Sequence, residues 1–555
     1  MKLRLFIPVL LLTSIIVFAF RMKERAKQKT ADIKKQMLSK KQLALRCTPD
    51  WNEFTITADE VNNFGPLPGF GKYSWKISTK NDSAQFYFNQ GINMYYGFHI
   101  IEALASFKKA QEFDANCAML YWAEALSHGP NINDLAYAQA PDALAAIQKA
   151  SSLSANALLL EKKLIEAQQQ HYSSDTTIKR SILNANYTAA MKLLFNSDGN
   201  NADVAALYAD AMMNEHPWDY WYHDGKPKEW TPHILEVVAK GLQDNSNHPG
   251  LNHYNVHMWE ASLTPGKALT SADKLGTITP GLSHMVHMPS HIYIRTGYFK
   301  KGTIVNEQAV SQYNNYKGLM PSVTNGAFLY EWHNLHMQAA NALFVENYTY
   351  ALKSAIACRN SLDTSALGLE APVGDYVQYL WSTPMFTMVY YKQWDDILKE
   401  PQPNSNHHFS TAIWHYAQGM ANAAKGNLSA AKTSVEALKH LIQEADMKIP
   451  NGVFNAPDAA GNVAINILQA MIADKENNQT EAIRLLKVAV QKEDDMVYDE
   501  PKDWLTPARS YLGYMHLKYG QFKEAAAAFS SSLKKDPGEP LAIKGLKLAI
   551  AKKKA

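Results

Sequence analysis

From residue 84 almost to the C-terminus, small residues return at fixed places of a 34-residue period, which restricts the fold more than any other feature. Counted from Ala84, residues Gly91, Ala103, Phe107 and Ala110 occupy places 8, 20, 24 and 27. Counted from Thr506, residues Leu512, Gly513, Ala525, Phe529 and Pro537 occupy places 7, 8, 20, 24 and 32. Weaker units begin near Ala412, with Gly419 and Ala431, and near Asn462 to Val463, with Ala470, Ala482 and Ala489. A small residue on each helix of a pair lets the two backbones approach closely, and a pair too small to bury its own apolar face must stack on its neighbours. Runs of β-branched alternation bounded by hairpin turns do not occur, so no sheet competes with this reading. The expected fold class is all-α, without a sheet larger than a hairpin.

The period and its small residues resemble the tetratricopeptide repeat (TPR) over most of residues 84–550. The resemblance implies an α-solenoid, a superhelix of antiparallel helix pairs whose first helices line a concave groove, with side chains at places 2, 5, 9 and 12 facing it. The chain then divides into residues 1–20, 21–82, 83–410 and 411–555: an apolar N-terminal segment, a basic linker with an irregular stretch, repeats bearing histidines, and C-terminal repeats.

Charge narrows the partners. Residues 1–46 carry twelve Lys and Arg against Glu24 and Asp32, a balance of +10; the other 43 basic and 50 acidic residues sum to −7. A mildly acidic body offers no broad basic face, which sets nucleic acid aside. At the N-terminus Lys2 and Arg4 precede an apolar run from Leu5 to Phe20, short for a spanning helix of roughly 20 residues. Val17 and Ala19 have the spacing of a cleavage site, so the segment reads as an export signal. An uncleaved membrane anchor is the alternative, favoured by the basic stretch Arg21 to Arg25. Either way the body is expected outside the cytoplasm. Cys47, Cys117 and Cys358 stand far apart with no CxxC pair, which excludes a cysteine zinc site. Buried, apolar roles are expected for Cys117 and Cys358. "GPLPGFGK" has the wrong glycine spacing for a phosphate loop, and Tyr73 follows Lys72 where a hydroxyl for magnesium would stand.

The register gives the histidines a direction. A unit begun at Pro249 puts Gly250, His253, His257 and Glu260 at places 2, 5, 9 and 12, and one begun at Ser283 puts His284, His287, His291 and Ile294 there. A unit begun at Trp332 puts His333 and His336 at places 2 and 5, and one begun at Ala202 puts Asp210 at place 9. The imidazoles thus form one stripe across neighbouring first helices. His253, His257 and Glu260, at i, i+4 and i+7, share one helix face. Packed helices lie about 8–10 Å apart, so imidazoles from adjacent helices can converge. Imidazoles with a carboxylate suit a transition metal such as zinc, copper or iron. The candidate ligands are His253, His257, Glu260, His287 and His291. His284, His333, His336 and Asp210 are expected close by as supporting groups, with Glu331, His216 and His223 as further candidates.

The competing reading is polar recognition of a peptide or small acid, with the imidazoles as donors. Pro289 falls inside the second unit's first helix and is expected to kink it, moving His284 off the stripe and leaving the place of His287 open. Met258, Met285, Met288 and Met337 each follow a histidine, but one helical step turns them about 100° away, so core packing is expected rather than copper ligation. Residues 214–231, rich in Trp, Tyr and Pro, read as an insertion packing aromatic rings over one end of the groove. His128 is placed as a cap facing the groove and His99 at a helix–helix turn. In "YDEPKDWLTPARS", Trp504 and Arg509 are read as pinning the last repeat.

At "HPGLNHYNVHMWEAS", "HMPSHIYIRTGY", "YEWHNLHMQAA", "SHGPNIND" and "YDEPKDW" the chain is similar to a family of bacterial exported TPR proteins with His-rich repeats, whose activity is not settled. That resemblance implies fold and export rather than a reaction. TPR proteins in general bind peptides or partner proteins in the groove, but here histidines stand where a Lys, Asn and Arg carboxylate clamp is usual. Three function classes remain: a metal-dependent enzyme or metal carrier, a protein- or peptide-binding scaffold, and a structural repeat protein tethered at a membrane. No Ser-His-Asp signature, HExxH helix, Walker loop or Rossmann fingerprint assigns a reaction. Should the chain be an enzyme, the mechanisms to consider are a metal-bound water as nucleophile and oxygen chemistry at iron or copper.

Overall fold

The computed structural model describes residues 61, 63–132, 141–319, 328–451 and 454–554. The expected export segment, the basic linker and Cys47 lie outside them. In order, the helices are α1 (Asp82–Tyr96), α2 (Ile100–Phe113), α3 (Ala118–Ser127), α4 (Pro141–Leu153), α5 (Leu159–Gln169), α6 (Arg180–Asp198), α7 (Ala202–Glu215), α8 (Thr231–Asp244), α9 (Pro249–Glu260), α10 (Leu269–Ile278), α11 (Ser283–His287) and α12 (Pro289–Thr296). They continue as α13 (Phe299–Leu319), α14 (Phe328–Leu343), α15 (Tyr348–Ser361), α16 (Val373–Trp381), α17 (Thr383–Tyr390), α18 (Trp394–Ile397) and α19 (His408–Ala424). The last are α20 (Leu428–Leu441), α21 (Pro457–Lys475), α22 (Gln479–Asp494), α23 (Ala508–Lys518), α24 (Phe522–Lys535) and α25 (Pro540–Lys554). Most helices pack chiefly on the next in sequence. Among the described residues β pairing is limited to one isolated bridge, Trp221 to Pro227. The fold is an all-α solenoid of the TPR type.

The small residues act as the period requires. A side chain at Gly91 would run into the Phe107 ring at 2.5 Å, and one at Gly513 would meet Phe529 at the same distance. Gly at place 8 therefore receives the aromatic ring at place 24 in the first and the last repeats alike. The units begun at Ala202, Pro249 and Ser283 coincide with the first residues of α7, α9 and α11. The four methionines that follow histidines are all core residues, at most 1% exposed, and Cys117 and Cys358 are buried free thiols.

Two large apolar cores share most of the chain, with smaller clusters such as that of Ala525, Phe529, Ala542 and Ala549 at the C-terminal end. One runs from Phe64 to Tyr316, the other from Phe299 to Met515. The solenoid also closes on itself. Gly297, at the left-handed C-terminus of α12 (φ 82°), lies so close to Pro537 that a Cβ would sit 2.6 Å from its carbonyl oxygen. Near the middle repeats, Arg295 stacks over Tyr498 at 5.2 Å and His223 Nε2 lies 3.2 Å from the Met496 carbonyl oxygen. The segment between α22 and α23 is thereby laid across the inner face of α12. No helix among the described residues is long and apolar enough to cross a membrane.

Candidate metal centre

Helix α9 is set against α1 at Gly250, where a Cβ would strike the Tyr96 ring at 2.5 Å. His248 caps α9 by accepting from the Leu251 N–H, and its other ring nitrogen lies 3.2 Å from Asp203 Oδ1. At the far end, the Arg295 guanidinium donates to the carbonyls of Glu260 and Ser262, both at 3.1 Å, supplying a cation where the helix end leaves its carbonyls unpaired. This close seating brings His253 Nδ1 to 2.7 Å from the Tyr96 carbonyl oxygen.

Helix α11 is fixed from below. Gly69, at φ 74°, accepts from the Gly281 N–H at 2.8 Å, an approach that leaves no room for a side chain on either residue. The loop around "GPLPGFGK" is therefore a brace for α11. Pro289 does separate α11 from α12, but Met288 keeps right-handed helical angles (φ −49°, ψ −36°), so the chain bends without swinging away. His284 consequently stays with the histidines of α9, contrary to the expected displacement.

The imidazoles fall into two groups, not one. In the first, His253, His257 and His284 each offer a ring nitrogen within 4.8 Å of the others. His253 Nε2 lies 3.0 Å from His257 Nε2 and 3.0 Å from His284 Nε2. In the second, His287, His291 and His333 converge in the same way, with His287 Nε2 and His291 Nε2 2.6 Å apart. All six rings are at most 2% exposed. His284 and His333, expected as supporting groups, thus stand among the convergent donors themselves.

Second partners determine which nitrogen carries the proton. A carbonyl oxygen only accepts, so His253 Nδ1 donates to Tyr96 and its Nε2 is a lone pair. His257 Nδ1 lies 2.8 Å from Glu260 Oε1, which assigns its ring the same tautomer. His287 Nδ1 lies 2.6 Å from Asn306 Oδ1, and Asn306 Nδ2 donates to the Gly302 carbonyl, so the amide presents oxygen to the ring. His291 Nδ1 faces Glu260 Oε2 at 2.8 Å and Glu500 Oε2 at 3.0 Å. In the first group the Nε2 lone pairs of His253 and His257 point at one another at 3.0 Å. In the second, the Nε2 lone pair of His287 faces His291 Nε2 at 2.6 Å. Burial pushes His253, His284 and His287 well below the ordinary imidazole range, so none of these three rings brings a second proton to the contact. His291 differs: burial opposes its charge, but the Glu500 and Glu260 carboxylates outweigh burial and hold it up at about 10.

Glu260 stands between the groups, with one oxygen on His257 and the other on His291. Together with His291 and Glu500 it forms a third set of possible donors. Aromatic rings wall the first group. Phe98, in the left-handed region at φ 56°, lies 4.4 Å from the His253 ring and 5.7 Å from those of His257 and His284. From the 214–231 insertion, Trp218 sets its ring edge-on to His257 at 5.4 Å.

The remaining expected residues are elsewhere. Asp210 accepts from Tyr95 at 2.9 Å inside a tyrosine-rich pocket, where burial pushes its carboxyl up to about 7. His336 meets the Tyr379 ring edge-on at 4.6 Å. His216 stacks on Trp230 at 3.8 Å, and His223 is exposed. Glu331 belongs to none of the convergent sets among the described residues. His128 is the C-cap of α3. Trp504 is fully buried against Phe386 and Tyr416, and Arg509 pairs with Asp494, as their structural reading requires.

Sequence reasoning missed four contributors: Glu500, Asn306, Phe98 and the inward role of His99. His99 does sit at the α1–α2 turn, but its Nε2 also accepts from the His284 N–H at 3.3 Å. Glu500 lies inside the "YDEPKDW" stretch, where an acid before proline near the end of a histidine-bearing solenoid was the available signal. Asn306 and Phe98 gave none.

No protein-family model matches the chain, and none of the curated proteins compared is similar to it. Among solved structures, a human IFIT1 dimer with m7Gppp-AAAA is similar at 12% identity, covering 94% of this chain and all of that one with a TM-score of 0.32. The Cut9-Hcn1 hetero-tetramer of the APC/C is similar at 12% identity, over 85% of this chain and 78% of that one, with a TM-score of 0.28. Yeast Tom70 gives 11%, 85%, 89% and 0.23 in the same terms. These likenesses are loose, and none bears on what this chain does.

Proposed function

We propose that the chain binds two transition-metal ions, one in each histidine group, and serves as a metal carrier or metal-dependent enzyme. The observation that carries this reading is the opposition of the buried Nε2 lone pairs of His253 and His257, whose Nδ1 protons are already committed to Tyr96 and Glu260. The second group offers the same convergence of three ring nitrogens. Neutral imidazoles held 3.0 Å apart in that tautomer repel each other unless a cation sits between them. At the 2.6 Å contact of the second group, the charged His291 already supplies a proton that a metal ion would displace. Three imidazoles suit zinc, copper or iron. Three protein ligands also leave a coordination position open, the pattern of a reactive site rather than a closed structural one. The Nδ1 partners are the outer hydrogen bonds that orient metal-ligating imidazoles and raise their basicity.

Peptide recognition by the same imidazoles has less support, because they are buried beneath the C-terminal loops. A TPR-type scaffold does suit protein binding, and its exposed helix faces leave room for a partner in addition to the metal. The N-terminal pattern supports a location outside the cytoplasm, with or without a membrane anchor. A fusion of residues 1–46 to a reporter active only there checks it: a silent reporter contradicts export. For the metal, the full chain is stripped with a chelator and titrated with Zn²⁺. Uptake of two equivalents is expected; a chain that takes up none overturns the proposal.

A further inference from the structure

Ligands that are at most 2% exposed cannot be loaded directly from solvent. A cavity of about 30 Å³ lies beside Glu500, and Asp375, Tyr376, Tyr379, Asn451, Asp499 and Asp503 are among the residues lining it. Its wall comes next to the site's own residues in two places. Asp499 is the chain neighbour of Glu500, whose Oε2 lies 3.0 Å from His291. Tyr379 is the residue whose ring meets His336, one helical turn from His333.

The chemistry of the wall selects the occupant. Among the described residues three carboxylates line the cavity and no basic side chain does. Asp375 is 5% exposed and its Oδ2 makes no hydrogen bond; Asn451 Oδ1 makes none either. Acceptor oxygens left without donors in one small space are the complement of a cation. About 10–15 Å³ of such space holds one water, so the cavity has room for a small ion with part of its hydration shell. Among the described residues the carboxylates do not converge as a ligand set, which fits passage rather than permanent binding. Burial, aided by the Asp446 carboxylate, pushes Asp375 up to about 7, so an arriving cation also stabilises its ionised form.

We propose that this acid-lined cavity is the port through which a divalent transition-metal ion reaches the histidine groups. The proposal rests on the metal reading above and adds a kinetic route to it. A cleft of one charge sign with low-dielectric walls raises the local concentration of its counter-ion and speeds capture by factors of 10–10³.

The test uses the metal-free full chain and Co²⁺ alone, followed by the absorption of the bound ion. Asp375→Asn is expected to slow uptake about tenfold while leaving the equilibrium affinity within twofold, and added salt should slow the wild type more than the variant. Should Asp375→Asn not fold, as judged by circular dichroism, Asp499→Asn carries the same test. An unchanged uptake rate overturns the port, and so does an equal loss of equilibrium affinity, which would make the aspartate a ligand. If the wild type takes up no Co²⁺ and no Zn²⁺, it is the metal reading that fails.

Discussion

The two histidine groups are built from the same parts and held in different ways. The first is anchored by a backbone carbonyl, that of Tyr96, and by one oxygen of Glu260, with Phe98 and Trp218 packed on its rings. The second is anchored by Asn306 and by two carboxylates, Glu260 and Glu500, that meet on His291. One group is walled by aromatic rings and the other by charge. The difference shows that a repeat register can deliver imidazoles to a common face while the character of each site is decided by whatever the rest of the chain lays against it. Glu260 belongs to both.

Removing a ligand separates the groups most sharply. His257→Ala is expected to abolish binding in the first group and leave one ion in the second; His287→Ala should do the reverse. Metal analysis after dialysis against Zn²⁺ checks both, and loss of both ions from either variant would mean the groups are a single site. The helical signal should persist in each, because local ring removal leaves the small-residue contacts at Gly91 and Gly513 untouched.

A smaller effect is expected at the shared carboxylate. Glu260→Gln should weaken both sites by about 10- to 100-fold, the usual consequence of losing an outer hydrogen bond to a ligating imidazole. Asn306→Ala should weaken the second site alone. Competition with a chromophoric chelator measures each step, and a Glu260→Gln variant that loses affinity in one step only contradicts the shared role.

Asp210 gives the smallest effect and the sharpest contrast with Glu260. Its carboxyl is raised by burial to about 7 in the folded chain against about 3.9 when unfolded. Between these values the folded chain holds a proton that the unfolded chain has lost, so stability falls as pH rises through that window. Asp210→Asn removes the loss. Its stability gain is expected to be larger at pH 8 than at pH 5 by about 3 kcal/mol, with metal content unchanged. Urea unfolding at the two pH values reads the first expectation, and an Asp210→Asn chain that loses metal would place the aspartate in the site after all.

How much of this was legible beforehand follows the reach of the signals. The period at Gly91, Phe107, Gly513 and Phe529 is local, and helix geometry converts it directly into close backbone approach. The shared face of His253, His257 and Glu260 is equally local, being fixed by 3.6 residues per turn. The division into two groups was not legible, because it depends on how far Met288 lets the chain bend at Pro289. Glu500 was out of reach for a stronger reason. It arrives from the C-terminal repeats only because the superhelix curls back to Gly297 and Pro537, and the accumulated rotation of many repeats is not encoded in any one of them. Asn306 was invisible because a single asparagine on a polar helix has no spacing to betray it.

The most direct test of the central claim is anomalous diffraction from crystals of the full chain loaded with Zn²⁺, recorded at the zinc edge. The account predicts two peaks. One should lie about 2.0–2.1 Å from Nε2 of His253, His257 and His284, and the other at the same distance from the ring nitrogens of His287, His291 and His333. Two empty groups in such a crystal, with the imidazoles in place, would contradict it.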